Sequence, residues 1–219
     1  MDNESIKFDK NKKKILNRAL IDIENFGFNK KMLHIAANNC NISEGELGRL
    51  FPEGIFELKQ YFFSEIDTKM LQKIETQDYS SMRIRDKIYN GVIIRLDLFK
   101  KNKTSIKYIF VSESSNPFKS LKHLWKTSDL IWKSAGDTST DYNHYTKRIL
   151  LSWVYITTLM CWFNDKSKNT HDTKLFLNRR LDEVLEFGKQ SGKIKSKISK
   201  LNISNKLINI IKNLKSIKV

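Results

Sequence analysis

Apolar positions recur along nearly the whole chain at intervals of three and four residues, the spacing of one face of a helix. Ile15, Leu16, Ala19, Leu20 and Ile23 predict a first helix over residues 13–25. Gly27 ends it, and Asn29 is placed to cap a second helix carrying Met32, Leu33, Ile35 and Ala36. The polar run 38–43 reads as a turn. Ser43 and Glu46 then have capping-box spacing, so a short third helix follows and reaches Phe51. Pro52 and Gly54 break the chain before a longer fourth helix over 55–76. Ile88, Val92, Ile93, Leu96 and Phe99 predict another helix, closed by a lysine-rich break at 100–103. Ile106, Ile109 and Phe110 start the next, which stops before Pro117. Leu121, Leu124, Trp125, Leu130, Ile131 and Trp132 mark a further one. Two prolines and eight glycines in 219 residues leave few helix breakers, so the expected fold class is all-α.

The pattern changes over 136–163. A run of short polar residues, 136–143, leads through His144, Tyr145, Thr146, Lys147 and Arg148 into 149–163, which carries no charge at all. Fifteen such residues fall short of the roughly 20 needed to cross a bilayer. A helix apolar on every side is otherwise a core helix, a dimer interface or the wall of an apolar pocket. Thr138 and Asp141 have capping-box spacing, so the helix is expected to begin between them. The large apolar side chains on and before this helix could enclose a lipid. The candidate lining is Phe110, Trp125, Trp132, Leu150, Trp153, Val154 and Thr157.

Charge refines the picture. The formal net charge is +16, but residues 15–65 sum to −2 and residues 188–219 to +9, with nine lysines and no acid. The basic excess thus avoids the first helices and collects in the tail. There, Ile194, Ile198, Leu201, Ile208, Ile211 and Leu214 fall near one stripe, with lysines mostly elsewhere. A lysine-rich amphipathic helix is suited to a membrane interface with anionic lipids. Ile194, Ile198, Leu201, Ile208, Ile211, Lys212 and Lys215 are the candidate membrane residues, and Gly188 and Gly192 a flexible join. The chain is therefore expected to comprise a basic arm (1–14), a helix–turn–helix-like part (15–65), a helical body (66–187) and the tail (188–219).

Catalytic chemistry is not expected. His34, His123, His144 and His171 are scattered, and Cys40 and Cys161 lack metal-ligand spacing or a neighbouring base, so neither a metal nor a cofactor is implied. The first residues carry Asp2, Glu4 and Asp9 and no apolar run, so a cytoplasmic, bacterial-type protein at the membrane periphery is expected.

The layout of residues 15–65 resembles the DNA-reading end of TetR-family regulators. That raises an alternative function, a ligand-responsive DNA-binding repressor. Its reading helix, however, holds Glu44 and Glu46 against Arg49 alone, and DNA affinity rests first on neutralising phosphates. DNA is therefore not the expected partner. A second resemblance is more specific. Residues 132–148 (WKSAGDTSTDYNHYTKR) and 172–181 (DTKLFLNRRL) resemble the signature of the ubiquinone-biosynthesis accessory proteins with a TetR-like fold, the ninth member of the coenzyme Q gene series. That resemblance implies a non-catalytic homodimer that binds an isoprenoid quinone intermediate, holds the membrane surface with its terminal helix and associates with the di-iron demethoxyubiquinone hydroxylase. The family's partner-binding surface maps to Asp141, Tyr142, His144, Tyr145 and Arg148. The family more often has tryptophan where His144 stands.

Overall fold

The computed structural model describes residues 3–112 and 117–194. Among these described residues the regular elements are helical. They run as α1 (Asn3–Phe26), α2 (Lys30–Asn39), α3 (Glu44–Leu50), α4 (Ile55–Glu75), α5 (Ile84–Phe99), α6 (Lys103–Ser112), α7 (Pro117–Ser134), α8 (Tyr142–Asn164) and α9 (His171–Ile194). The chain divides after Ala135 into two compact units.

In the first unit the local signals act as expected. Gly27 ends α1 in a left-handed conformation, φ +70°, with its N–H donated to the Ile23 carbonyl. Asn29 caps α2 by accepting from the Met32 N–H, and Ser43 caps α3 by accepting from Glu46. Only half of the capping box forms at α3, because the Glu46 carboxylate takes the Asn11 amide at 2.8 Å instead. Ile15, Ala19 and Ile23 of α1, Met32, Leu33 and Ala36 of α2, and Leu47 and Leu50 of α3 form the small core of this helix–turn–helix part.

Helix α1 begins ten residues before its expected start. Apolar periodicity gave no reason to extend it, since the added turns are held by polar and cation–π contacts. Lys12 Nζ lies 5.1–5.7 Å from the ring centroids of Phe8, Phe51 and Tyr61, and 3.0 Å from the Glu57 carboxylate. Tyr61 donates its hydroxyl to Asp9 at 2.8 Å. The expected basic arm is thus mostly helix, strapped onto α3 and α4.

Helices α4, α5 and α7 pack through Phe62, Phe63 and Met70, through Val92, Leu96 and Phe99, and through Leu124 and Ile131. Gly91 of α5 allows close approach: a Cβ there would lie 3.0 Å from the Ile131 side chain. Arg95 is buried within this unit and pairs with the Asp67 carboxylate, which Lys126 also approaches at 3.6 Å.

The second unit contains the α8–α9 hairpin. Leu151, Val154, Tyr155, Leu159 and Trp162 are buried on α8, and Thr173, Leu177 and Leu181 on α9. Of the three readings open for 149–163, a core helix covered on every side by this chain does not form, because Trp153 is 64 % and Met160 58 % exposed. Helix α9 continues through Gly188 and Gly192, where a flexible join was expected, and ends at Ile194. Of the candidate membrane residues, Ile198, Leu201, Ile208, Ile211, Lys212 and Lys215 lie outside the described residues. No helix among the described residues is long and apolar enough to cross a membrane.

Candidate functional site

The polar loop before α8 is organised by one carboxylate. Gly136 turns the chain with φ +93°, and Asp137 directly after it points inward. Its side chain is 5 % exposed and accepts from Lys147 Nζ at 2.5 Å, Arg148 Nη1 at 2.8 Å and the Ser139 hydroxyl at 2.8 Å. Burial alone would raise the Asp137 carboxyl. The hydrogen bonds from Lys147, Arg148 and Ser139 outweigh it and hold the group well below the usual carboxylate range. The guanidinium of Arg148 is 1 % exposed and also donates to the His144 carbonyl at 3.0 Å. The loop is therefore clamped onto the second turn of α8.

This clamp moves the helix start. Thr138 is not the cap: residues 137–140 are non-helical, and Asp141 itself caps α8 by accepting from the Asn143 N–H at 3.0 Å. The inward pull on Asp137 keeps the loop off the helix path until Asp141. His144 Nδ1 lies 2.9 Å from the Ser139 carbonyl, which requires the Nδ1–H tautomer or the imidazolium as donor. Its ring meets Tyr145 edge-on with centroids 5.2 Å apart.

Of the five candidate docking residues, Asp141 and Tyr142 are exposed, Tyr142 by 66 %, while His144 and Tyr145 are half-buried. All four lie at the first turn of α8. Arg148 is inside, so its place in any docking face is to hold the loop rather than to touch a partner. Asp137, which sequence spacing did not single out, is the centre of the arrangement. A carboxylate paired with residues ten and eleven positions later follows no periodicity rule, so the sequence gives no local signal for it.

The far end of α8 is fixed in a similar way. Asp165 accepts from Ser167 and from both the N–H and the hydroxyl of Thr173, a side chain that is fully buried. Burial would raise the Asp165 carboxyl as well, and these four hydrogen bonds hold it well below the usual range.

The candidate lipid-lining residues are dispersed in environment. In the first unit Phe110, Trp125 and Trp132 are half-buried, with Phe110 edge-on to Phe63 at 5.8 Å. On α8, Val154 is buried, Leu150 and Thr157 are half-buried, and Trp153 projects outward. Two clefts of about 430 Å³ are formed by other residues. One lies at the α4–α7 edge of the first unit, and one at the turn before α9, lined by Ser167, Lys168, Asn169, His171 and Lys174.

Helix α3, in the position of a DNA-reading helix, presents Glu44 with 81 % of its side chain exposed, near His34 at 3.3 Å. Its other acid, Glu46, is tied to α1.

Residues 118–188 match the COQ9 family model, a span that includes the loop, α8 and most of α9. The chain is 25 % identical over 186 residues to the mitochondrial ubiquinone biosynthesis protein COQ9 of Xenopus tropicalis, covering 80 % of this chain and 58 % of that protein. It is 26 % identical over 192 residues to the Homo sapiens protein of the same name, covering 84 % of this chain and 60 % of that one. Identity rises to 38 % over 77 residues with the Bos taurus protein, 35 % of this chain and 24 % of that one. The chain thus spans about three fifths of the length of the first two relatives. Its backbone is also similar to a TetR transcriptional regulator from Nitrosomonas europaea, with a TM-score of 0.65 and 19 % identity over 78 % of this chain and 96 % of that one, a likeness of fold. The chain thus combines a TetR-like helical fold with similarity to the COQ9 ubiquinone-biosynthesis proteins, carried by the family match over 118–188.

Proposed function

We propose that this protein is a non-catalytic accessory factor of ubiquinone biosynthesis. It binds an isoprenoid quinone intermediate and presents it to the di-iron demethoxyubiquinone hydroxylase. The observation that carries this reading is the coincidence of the family match with the clamped loop and the first turn of α8. There, Asp141 and Tyr142 stand exposed on a base fixed by Asp137 and Arg148. A rigid presentation of a polar cap and an aromatic ring suits a docking face, since little ordering entropy remains to be lost on association.

Burial of an isoprenoid tail supplies affinity at roughly 0.8 kcal/mol per CH₂, so few polar contacts are needed. The lysine-rich tail holds the protein at an anionic membrane surface, and the protein acts as a homodimer at the membrane periphery. The COQ9 relatives are named as mitochondrial proteins; for this chain the site of action proposed is the membrane periphery. The exposed line on α8 beyond the docking turn is assigned to the second copy. A repressor reading draws on the TetR-like fold alone, and the acidic α3 weighs against it.

The test is capture of purified hydroxylase by the immobilised protein. Wild type retains it, and Tyr142→Asp lowers the affinity roughly tenfold or more, as loss of an aromatic hot spot does. Equal retention by both proteins would remove the α8 turn as the docking face.

A further inference from the structure

The turn between α8 and α9 gathers basic side chains that the docking face does not use. Asn169 and Thr170 both stand in the left-handed region, each with φ +56°, which is strained for a β-branched threonine. Helical register is therefore broken between Lys168 and Asp172, and the two do not form the ion pair that their four-residue spacing would allow in a continuous helix. Elsewhere in the chain that spacing does pair, in Lys13–Asp9, Lys69–Glu65 and Lys133–Asp129. Lys168 and Asn169 instead line a cleft of about 430 Å³ with Ser167 and with His171 and Lys174 of α9. His171 and Lys174 are three residues apart, so they share one face of that helix.

Among the described residues, the side chains of Lys168, Asn169, His171 and Lys174 make no ion pair or hydrogen bond. No carboxylate lines the cleft. Of the two acids nearest in sequence, Asp165 is turned onto Ser167 and Thr173, and Asp172 stands outside the lining. The end of α9 does not supply the donors either. The Asp172 N–H goes to the Ser167 hydroxyl oxygen, the Thr173 N–H to Asp165 and the His171 N–H to the Lys168 carbonyl. Ser167 is spent as well, its hydroxyl hydrogen being given to Asp165. What remains are two ammonium groups, an imidazole N–H and an amide N–H₂, all of them donors. A concave surface lined by charge of one sign concentrates small counter-ions.

We propose that this cleft binds a phosphate monoester, whose terminal oxygens accept from Lys168 and Lys174, with His171 and Asn169 donating beside them. A compact dianion matches two lysines, whereas a carboxylate balances only one of them. The cleft lies in the lower part of the size range for small-molecule sites, roughly 300–1,000 Å³, so it leaves room for a small group on the ester oxygen. That ester is either a soluble compound or the head group of phosphatidic acid. The site is independent of the quinone reading. It lies at the opposite end of α8 from the docking turn, about 30 Å along the helix.

The experiment follows the four histidine ring signals of the full chain by NMR during titration with glycerol 3-phosphate, at fixed pH and fixed ionic strength. The His171 signals are expected to shift saturably while those of His34, His123 and His144 stay in place. Lys168→Gln combined with Lys174→Gln is expected to weaken binding at least tenfold, roughly the loss of two charge-assisted bonds. Lys100→Gln combined with Lys101→Gln, both exposed on another part of the chain, should leave it unchanged. Unshifted signals of His34, His123 and His144 show that each variant is folded. A His171 signal that does not move would overturn the proposal. So would equal shifts at all four histidines, which report diffuse binding to the lysine-rich chain, or an affinity unaltered in the Lys168/Lys174 variant. Sedimentation with phosphatidylcholine vesicles containing phosphatidic acid separates the two sources. A soluble ester predicts equal sedimentation of wild type and that variant, and a lipid head group predicts less of the variant.

Discussion

Arg148→Met is expected to destabilise the fold by about 3–5 kcal/mol, because it leaves Asp137 as a buried charge without its inner partner. Both side chains are almost wholly inside, at 1 % and 5 % exposure, so solvent cannot replace the lost bond. Lys147 stays at hydrogen-bond distance and moderates the loss toward the lower figure. The sign of the pH dependence follows from the depressed folded-state pKa of Asp137. Its stabilisation is fully present above the unfolded carboxylate value, near 3.9, and is lost as pH falls through the lower folded value. The gap between wild type and Asp137→Asn should therefore be widest above about pH 5 and close in strong acid. Urea unfolding at several pH values measures it. A gap that widened on acidification would contradict the clamp. The double variant Asp137→Asn/Arg148→Met should recover part of the loss, since neither charge is then stranded.

If the proposed homodimer forms through α8, Trp153→Glu combined with Met160→Glu is expected to leave a monomer. Trp153 and Met160 are seven residues apart, which returns the second side chain to within about 20° of the first along the helix. Both are well exposed in the single chain, by 64 and 58 %. Tryptophan is among the residues most often found to dominate interfaces, worth about 2 kcal/mol or more when central. Two carboxylates placed in such a face should raise the dimer dissociation constant by roughly three orders of magnitude. Because the positions are exposed, the isolated chain should lose little stability, within about 0.5 kcal/mol. Sedimentation at micromolar concentration distinguishes the outcomes. An unchanged sedimentation coefficient would move the dimer interface off this face.

The sequence carried most of the helical order, for identifiable reasons. Asn29, Ser43, Gly27 and Pro117 are local signals, and each marks the helix end it was expected to mark. Long-range polar contacts were not legible. The extension of α1 back to Asn3 depends on Lys12 meeting Phe51, Glu57 and Tyr61 of later elements. The cap of α8 shifted from Thr138 to Asp141 because Asp137 is drawn to Arg148 across eleven residues. The apolar run 149–163 leaves open a core helix, a dimer interface and a pocket wall. Hydropathy reports how apolar a helix is but not which side is covered, and α8 hides Tyr155 and Trp162 while exposing Trp153 and Met160. The candidate docking turn was legible only through the family signature. Its clamping residue came from the folded arrangement.

Native mass spectrometry of the gently purified full chain from a ubiquinone-producing host, with identification of the released small molecules, tests the central claim most directly. The account predicts a dimer carrying an isoprenoid quinone or its precursor. A lipid-free monomer from a host rich in ubiquinone would contradict it.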